Sequence, residues 1–449
     1  MTAAAPHPPA SAADRGAALY AFASELYPLR RSLTGNGLRE TLDAIGKRVP
    51  LAIREVFTGT PILDWTAPKE WRVHEAHLAL PDGRRVVDWE DHPLHLVQYS
   101  GPRSGRYTLS ELRPHLHTVP EHPDWIPYRT AYWGGGWGFC LRQSTLDALE
   151  AEIGDDGELD VRIDTRLVDG AMPLAECVVP GETDREVLIS AHACHPHLAN
   201  DNASALAVAT FAAAELHRAA ASGERLRHTV RFLFAPGTVG AIAWLATTPE
   251  AANMDAGLVL ANLGDRGPFV YKKTRRGTLG APADVDRAAA AVLPGAEVRP
   301  FTPFGYDERQ YNSPGLDLPV GRLTRTPHAE YPEYHTSADD LSLLSPEALE
   351  ESLNAVLGVV RALGGNGTYR NAAPYGEPML GRRGLYEPVG GRPLAPEAQR
   401  AMMWVLNLSD GTRDLLEVAA RSGLPFAAVR EAADRLLAAD LLTDAADHA

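Results

Sequence analysis

Cysteine is nearly absent from this chain of 449 residues, which has only Cys140, Cys177 and Cys194. Three widely spaced thiols make no disulfide framework, so a reducing compartment is expected. Basic residues are also scarce, 43 Lys and Arg against 58 Asp and Glu, for a formal net charge of −15. That balance speaks against a protein that holds nucleic acid by broad phosphate neutralisation or adheres to an anionic membrane. No apolar run is long enough for a bilayer span, which takes about 20 residues. The longest, at 203–214, is interrupted by Ser204 and Thr210. Residues 1–13 are rich in Ala and Pro, with neither a basic n-region nor an apolar h-region. No signal peptide is therefore expected, and the chain reads as cytoplasmic. Hydrophobic residues at 45% and charged residues at 22% exclude a mostly disordered chain.

The length suggests two or three domains at roughly 150 residues each. Residues 1–14 read as a disordered tail. Helical periodicity follows at 15–27 and 38–49, separated by Pro28 and the breaker Thr34-Gly35-Asn36-Gly37. From 58 to 132, short alternating runs punctuated by Pro and Gly predict a small inserted β-rich domain. It holds seven of the sixteen histidines, none at a tight ligand spacing. A Gly-rich stretch at 133–140 leads back to the main domain, assigned to 15–57 and 133–375. After a helix near 144–152, apolar β-rich runs at 186–190, 229–234, 257–263, 269–271 and 318–323 accompany helical patterns at 203–220, 282–292 and 346–363. Such alternation predicts an α/β fold, a sheet covered by helices. A Gly/Pro-rich linker at 376–396 precedes 397–449, whose succession of helices and a turn is that of a small winged-helix module. Residues 397–449 contain five Arg, no Lys and nine acidic residues, a net of −4. That charge opposes phosphate binding and favours a structural or dimerisation role, so a homo-oligomer could form through this module or the inserted domain.

Three clusters could carry chemistry. In Leu188-Ile-Ser-Ala-His192-Ala-Cys194-His195-Pro-His197-Leu-Ala-Asn200-Asp201-Asn202, a buried strand runs into the start of a long apolar helix. His192 then sits at a strand carboxyl end and Asp201 just before a helix, in the crevice where open α/β sheets bind ligands. An imidazole and a carboxylate delivered there suit zinc. Asp201 and Asn202 could equally be helix caps. His195 and His197, in a His-Pro-His loop, could approach a metal or shape the pocket wall. The second cluster, Glu330-Tyr-Pro-Glu333-Tyr334-His335-Thr-Ser-Ala-Asp339-Asp340, follows a strand-like run and could also be a plain surface turn. The third, Tyr306-Asp307-Glu308-Arg309-Gln310-Tyr311, packs two carboxylates, a guanidinium and two phenols together. It suits recognition of a polar substrate, with Arg309 able to clamp a carboxylate bidentately.

The run His192…Asn200-Asp201-Asn202-Ala-Ser204, the strand Phe232-Leu-Phe-Ala-Pro236, the strand ending Leu263-Gly264-Asp265 and the string Glu333-Tyr334-His335-Thr336 resemble the zinc aminopeptidase fold. More narrowly, Pro61-Ile-Leu-Asp-Trp65, Trp137-Gly-Phe-Cys140, Asp307-Glu-Arg-Gln310 and the 330–340 string resemble bacterial aminopeptidase-like domain proteins of polysaccharide or secondary-metabolite biosynthesis. The resemblance implies an inserted β domain, a C-terminal winged helix, and His192, Asp201 and His335 as metal ligands. It also implies losses. Cys194 stands where an aspartate would orient His192. Pro236-Gly237-Thr238 lacks the glutamates that the peptidases use as base and ligand, and Asp265 is offset by one residue from a further ligand position. One zinc, rather than two, is then expected, in a hydrolase of an amide or related acyl bond in a small-molecule or peptide-like substrate. The candidate bases are Glu333, Glu308 and Asp307, in that order, while Arg309, Tyr311 and Tyr334 are candidates for substrate binding. Gly237 and Cys194 favour the alternative, a metal-binding scaffold that has lost or changed its chemistry.

Overall fold

The computed structural model describes residues 12–133, 135–385 and 396–445. Its centre is an eight-stranded mixed sheet. Four strands in the middle run parallel in the order His228–Ala235, Thr183–His192, Met254–Leu260, Val320–Thr324. Ala171–Val179 and then Ala52–Phe57 extend one edge antiparallel, and Val270–Lys272 with Glu297–Arg299 extend the other. The middles of the central strands carry apolar residues at both parities because both of their faces are covered. Val187, Ile189 and Ala191 point into one core, shared with the helices Ala12–Leu26, Ala205–Ala221 and Pro346–Gly365. Leu188 points into the other, shared with Val259, Leu233 and the helix Val239–Thr247. Side chains on a strand alternate between faces, so one continuous run of the sequence supplies two cores.

Local chemistry sets the helix ends. Ser345 accepts the N–H of Ala348 at 3.3 Å and Pro346 takes the first helical position, which begins Pro346–Gly365. The Ala-rich helix Ala205–Ala221 is buried along most of its length, and its small side chains let the helices on either side approach.

The inserted unit differs from its expected bounds. Its antiparallel sheet runs Arg85–Asp88, Glu70–Ala79, Glu158–Val168, Arg103–Thr108. One of its two central strands, Glu158–Val168, therefore lies beyond residue 132, and the helix Gln143–Ile153 packs on the same core through Leu146 and Leu149. The physical reason is the alternation Leu159-Val161-Ile163, which needs a partner face that only this small sheet provides.

The C-terminal module also starts earlier than 397. Thr368–Asn371, assigned to the main domain, pairs with Asp410–Asp414 and Leu442–Asp444 to form the module's sheet, and the helices Pro396–Leu408, Leu415–Ser422 and Phe426–Ala438 complete it. Arg287 pairs with Asp414, and Arg430 donates to the carbonyl of Gly365 at 3.0 Å, docking the module on the main domain. Residues 386–395 of the expected linker lie outside the described residues, as do residues 1–11 of the expected tail. Residues 12–14 already belong to the first helix. Among the described residues, no helix is long and apolar enough to cross a membrane.

Candidate metal centre

The parallel strands all end at one edge, and their carboxyl ends deliver the candidate site. His192 closes the strand Thr183–His192, and Asp201 follows in the irregular turn before Ala205–Ala221. Three imidazoles converge on the Asp201 carboxylate, which is fully buried. Nε2 of His192 lies 2.8 Å from Oδ1; Nδ1 of His195 and Nε2 of His335 lie 3.2 and 3.1 Å from Oδ2. Asp201 is therefore not a helix cap, and the helix that follows has no side-chain cap at Ser204. His197, Asn262 and His335 have φ of 46°, 49° and 57°, a left-handed conformation that ordinary residues hold only where the surroundings impose it.

A second layer holds these groups. The Asp339 carboxylate accepts the backbone N–H of Asn200 at 2.6 Å and of Asp201 at 3.0 Å, which fixes the turn carrying Asp201. The buried Arg31 guanidinium donates through Nε to the carbonyl of His195 at 2.7 Å. The inserted unit reaches in through 126–128. Tyr128 N–H donates to the carbonyl of His335 at 2.8 Å, Ser337 N–H donates to the carbonyl of Ile126 at 2.8 Å, and Ile126 N–H donates to Ser337 Oγ at 2.9 Å. Aromatic rings wall the site. Tyr306 stacks on His192 at 5.1 Å, Tyr334 stacks on His335 at 3.9 Å, and Tyr128 stands edge-on to both His195 and His335.

Electrostatics divide the imidazoles. Burial lowers His192 and His335 below the usual histidine range despite their contact with Asp201. At His195 burial also acts downward, but the Asp201 charge outweighs it and raises the imidazole well above that range. Burial acts upward on Asp201, and the charges of His195 and His192 overcome it, holding the carboxyl well below its usual range.

The structure brings His192, Asp201 and His335 together and adds His195, which the sequence left open as pocket wall. The signal for it was present, since the turn at Pro196 directs a residue three beyond His192 back to the same edge. For Tyr128 and Arg31 no sequence signal existed, whereas Tyr306 is one of the two phenols of the third cluster. Glu308 is placed against its expected role: its carboxylate is buried in a cluster with Lys272 Nζ at 2.9 Å and Arg322 at 3.3 Å, and accepts the Tyr306 N–H at 2.9 Å. A carboxylate engaged in this way is a structural partner, not a free base. Tyr311 belongs to the core, its hydroxyl 2.9 Å from Ser190 Oγ and its ring against Trp244. Arg309 is partly buried, with an Nε that has no partner among the described residues. Glu333 is partly buried on the loop of His335, and its carbonyl accepts from Thr336. Cys194 packs toward the inserted unit and its Sγ lies 3.6 Å from the carbonyl of Gly237. Asp265 accepts from Asn200, Gly267 and Thr326, closing a turn.

Ligand atoms of His192, His195 and Asp201 lie within 4.8 Å of one another, and among the described residues theirs is the one group of three such donors. Imidazole nitrogens beside one carboxylate are a donor set that could hold a divalent metal ion.

An eight-stranded mixed sheet with a histidine–aspartate cluster at its strand ends, covered by helices and followed by a winged helix, defines an aminopeptidase-like α/β protein. The comparisons agree. Residues 20–366 match a family described as a domain of unknown function, DUF4910, and residues 367–444 match the winged helix-turn-helix family. The chain belongs to the DUF4910 family. It is 41% identical, over 96% of this chain and 97% of the relative, to a Clostridium acetobutylicum protein named for polysaccharide biosynthesis with an aminopeptidase-like domain. A crystal structure from Clostridium acetobutylicum, described as a peptidase, aligns at 39% identity with a TM-score of 0.87, covering 96% of this chain and 97% of that one. A zinc aminopeptidase from Bacillus subtilis shares the fold at 13% identity and a TM-score of 0.57, over 78% of this chain and 95% of its own.

Proposed function

We propose that this chain is a metal-dependent hydrolase that cleaves an amide or related acyl bond in a small amino-acid or aminosugar-like conjugate, within polysaccharide or secondary-metabolite biosynthesis. The observation that carries the reading is the convergence of three imidazoles on one buried carboxylate at the strand ends. His192, Asp201 and His335, joined by His195, would hold one zinc ion. Bound there, zinc would polarise an acyl carbonyl and acidify water. The remaining work falls to the chain itself. Tyr128, Tyr306 and Tyr334 restrict water around the imidazoles, and Arg309 offers a guanidinium for an anionic group of the substrate. The C. acetobutylicum relative's name supports a biosynthetic setting, and the fold shared with a zinc aminopeptidase supports the metal. The winged helix serves as a structural or dimerisation module rather than a nucleic-acid reader.

A second reading, a metal-binding scaffold with lost or altered chemistry, is favoured by the surroundings of His192. Its Nδ1 faces the Asn202 amide nitrogen at 3.2 Å rather than a carboxylate. That nitrogen is oriented by the carbonyls of His192 and Leu260, at 3.2 and 3.3 Å. A ligand histidine ordinarily donates its outer N–H to an acceptor.

Elemental analysis of protein purified without chelator or added metal decides the first step, for wild type and Asp201→Ala. About one zinc per chain, lost in the variant, is the expected result. Wild-type protein without metal would refute the hydrolase reading. Zinc together with inertness toward a panel of amide conjugates would favour the scaffold.

A further inference from the structure

Among the described residues, Asp307 has both carboxylate oxygens buried with no hydrogen-bond partner. Buried polar atoms are nearly always paired, because leaving one unpaired costs the desolvation of the group. An orphaned carboxyl is therefore a group kept for something other than stability. Its place is specific. A Cβ built on Gly237 would lie 3.4 Å from Asp307 Oδ1 and 3.0 Å from His192 Cβ. The carboxyl thus comes up to the bare α-carbon of residue 237, on the side facing a candidate metal ligand. Residue 237 is also the position where the resemblance to the peptidases puts a glutamate base and this chain has none. The two departures fit together, since a side chain at 237 would crowd both Asp307 and His192.

Resting on the hydrolase reading above, we propose that Asp307 carries out the proton transfers of the glutamate missing at 237, so that the base has moved from the loop after one strand to a different segment of the chain. As a carboxylate, Asp307 accepts a proton from water while the water oxygen forms a bond to the acyl carbon and the carbonyl π pair moves onto its oxygen. The carboxyl then returns that proton to the leaving nitrogen as the carbon–nitrogen bond breaks and the carbonyl re-forms. The products are an acid and an amine, and the carboxylate is regenerated. The groups facing Asp307 are consistent with a reversible proton carrier. Burial and the charge of Glu308 push its carboxyl up, while Arg309 and His195 pull it down; Tyr311 lies close enough to feel its charge. Glu308, spent on Lys272 and Arg322, leaves Asp307 as the buried carboxyl of this cluster without an ion-pair partner.

The test uses the full-length, zinc-loaded chain with p-nitrophenyl acetate as probe. Wild type is compared with Asp307→Asn, Gly237→Glu and the exchange Gly237→Glu with Asp307→Gly. Zinc per chain is measured for each, and the infrared band of a protonated carboxyl group is recorded for wild type and Asp307→Asn. Asp307→Asn should keep its zinc, weaken that band relative to wild type and lose turnover by on the order of 10²-fold or more. Gly237→Glu alone should lower turnover, and the exchange should exceed Asp307→Asn. Unchanged turnover in zinc-loaded Asp307→Asn would overturn the inference while leaving the hydrolase reading intact. So would loss of zinc in that variant, which would make Asp307 a ligand, or zinc-loaded wild type that leaves the ester uncut. Wild type that binds no zinc would overturn both.

Discussion

Replacing Asp307 by Asn should make the chain more stable at alkaline pH than at acidic pH, relative to wild type. Burial and the neighbouring Glu308 raise the Asp307 carboxyl from 3.8 to about 7. The folded chain then binds this proton more tightly than the unfolded chain. The contribution to stability is fully present below about pH 4 and is lost as pH rises through about 7. That interval corresponds to roughly 4 kcal/mol of opposition to folding above about pH 8, of which roughly 2 kcal/mol is already present at about pH 5. An Asn amide cannot ionise. It leaves its own N–H groups unpaired, at a cost of about 1–3 kcal/mol that does not change with pH. The difference in stability between variant and wild type should therefore move by roughly 2–3 kcal/mol in favour of Asn between about pH 5 and about pH 8.5. Urea unfolding of chelator-treated protein at the two pH values measures it, with the slopes compared to check that the same surface is exposed. A difference that is the same at both pH values would refute the reasoning, because it would mean that Asp307 is solvated or paired when the chain is folded.

Two further outcomes follow from other parts of the site. Glu308→Gln removes the counter-charge of Lys272 and Arg322 inside the protein and should destabilise it by about 3–5 kcal/mol, read by thermal or urea unfolding; a loss under about 1 kcal/mol would show that water reaches the cluster. Tyr128→Ala should weaken zinc binding by about 10–100-fold, because its ring packs against His195 and His335, whereas Tyr128→Phe keeps the ring and should bind like wild type. Competition with a fluorescent chelator distinguishes the two, and equal affinities for both variants would remove Tyr128 from the supporting layer.

Much of the fold could be read directly from the chain. The runs around 186–190, 229–234 and 257–263 are apolar at both parities, which only a sheet covered on two faces satisfies, and the structure has that sheet. The errors fell where pairing is non-local. Glu158–Val168 alternates as a half-buried strand, but nothing within it says that its partner is Glu70–Ala79 rather than a strand of the main sheet. Thr368–Asn371 is too short to announce that it pairs with segments some 40 and 70 residues further on.

By itself, the sequence determined which chemistry was available: a histidine at a strand end, a carboxylate before a helix, a downstream histidine, and a glycine where the resemblance to the zinc aminopeptidases implies a base. Those are local facts of residue type and order, and periodicity is enough to place them at one edge of a sheet. Only the tertiary structure decided which groups meet. It brought His195 round to Asp201, committed Glu308 to Lys272 and Arg322, and left Asp307 unpaired beside Gly237. The reason is that adjacent carboxyls such as Asp307 and Glu308 are equivalent in sequence. They become different only when burial strips both of water and the fold supplies a cation to one of them.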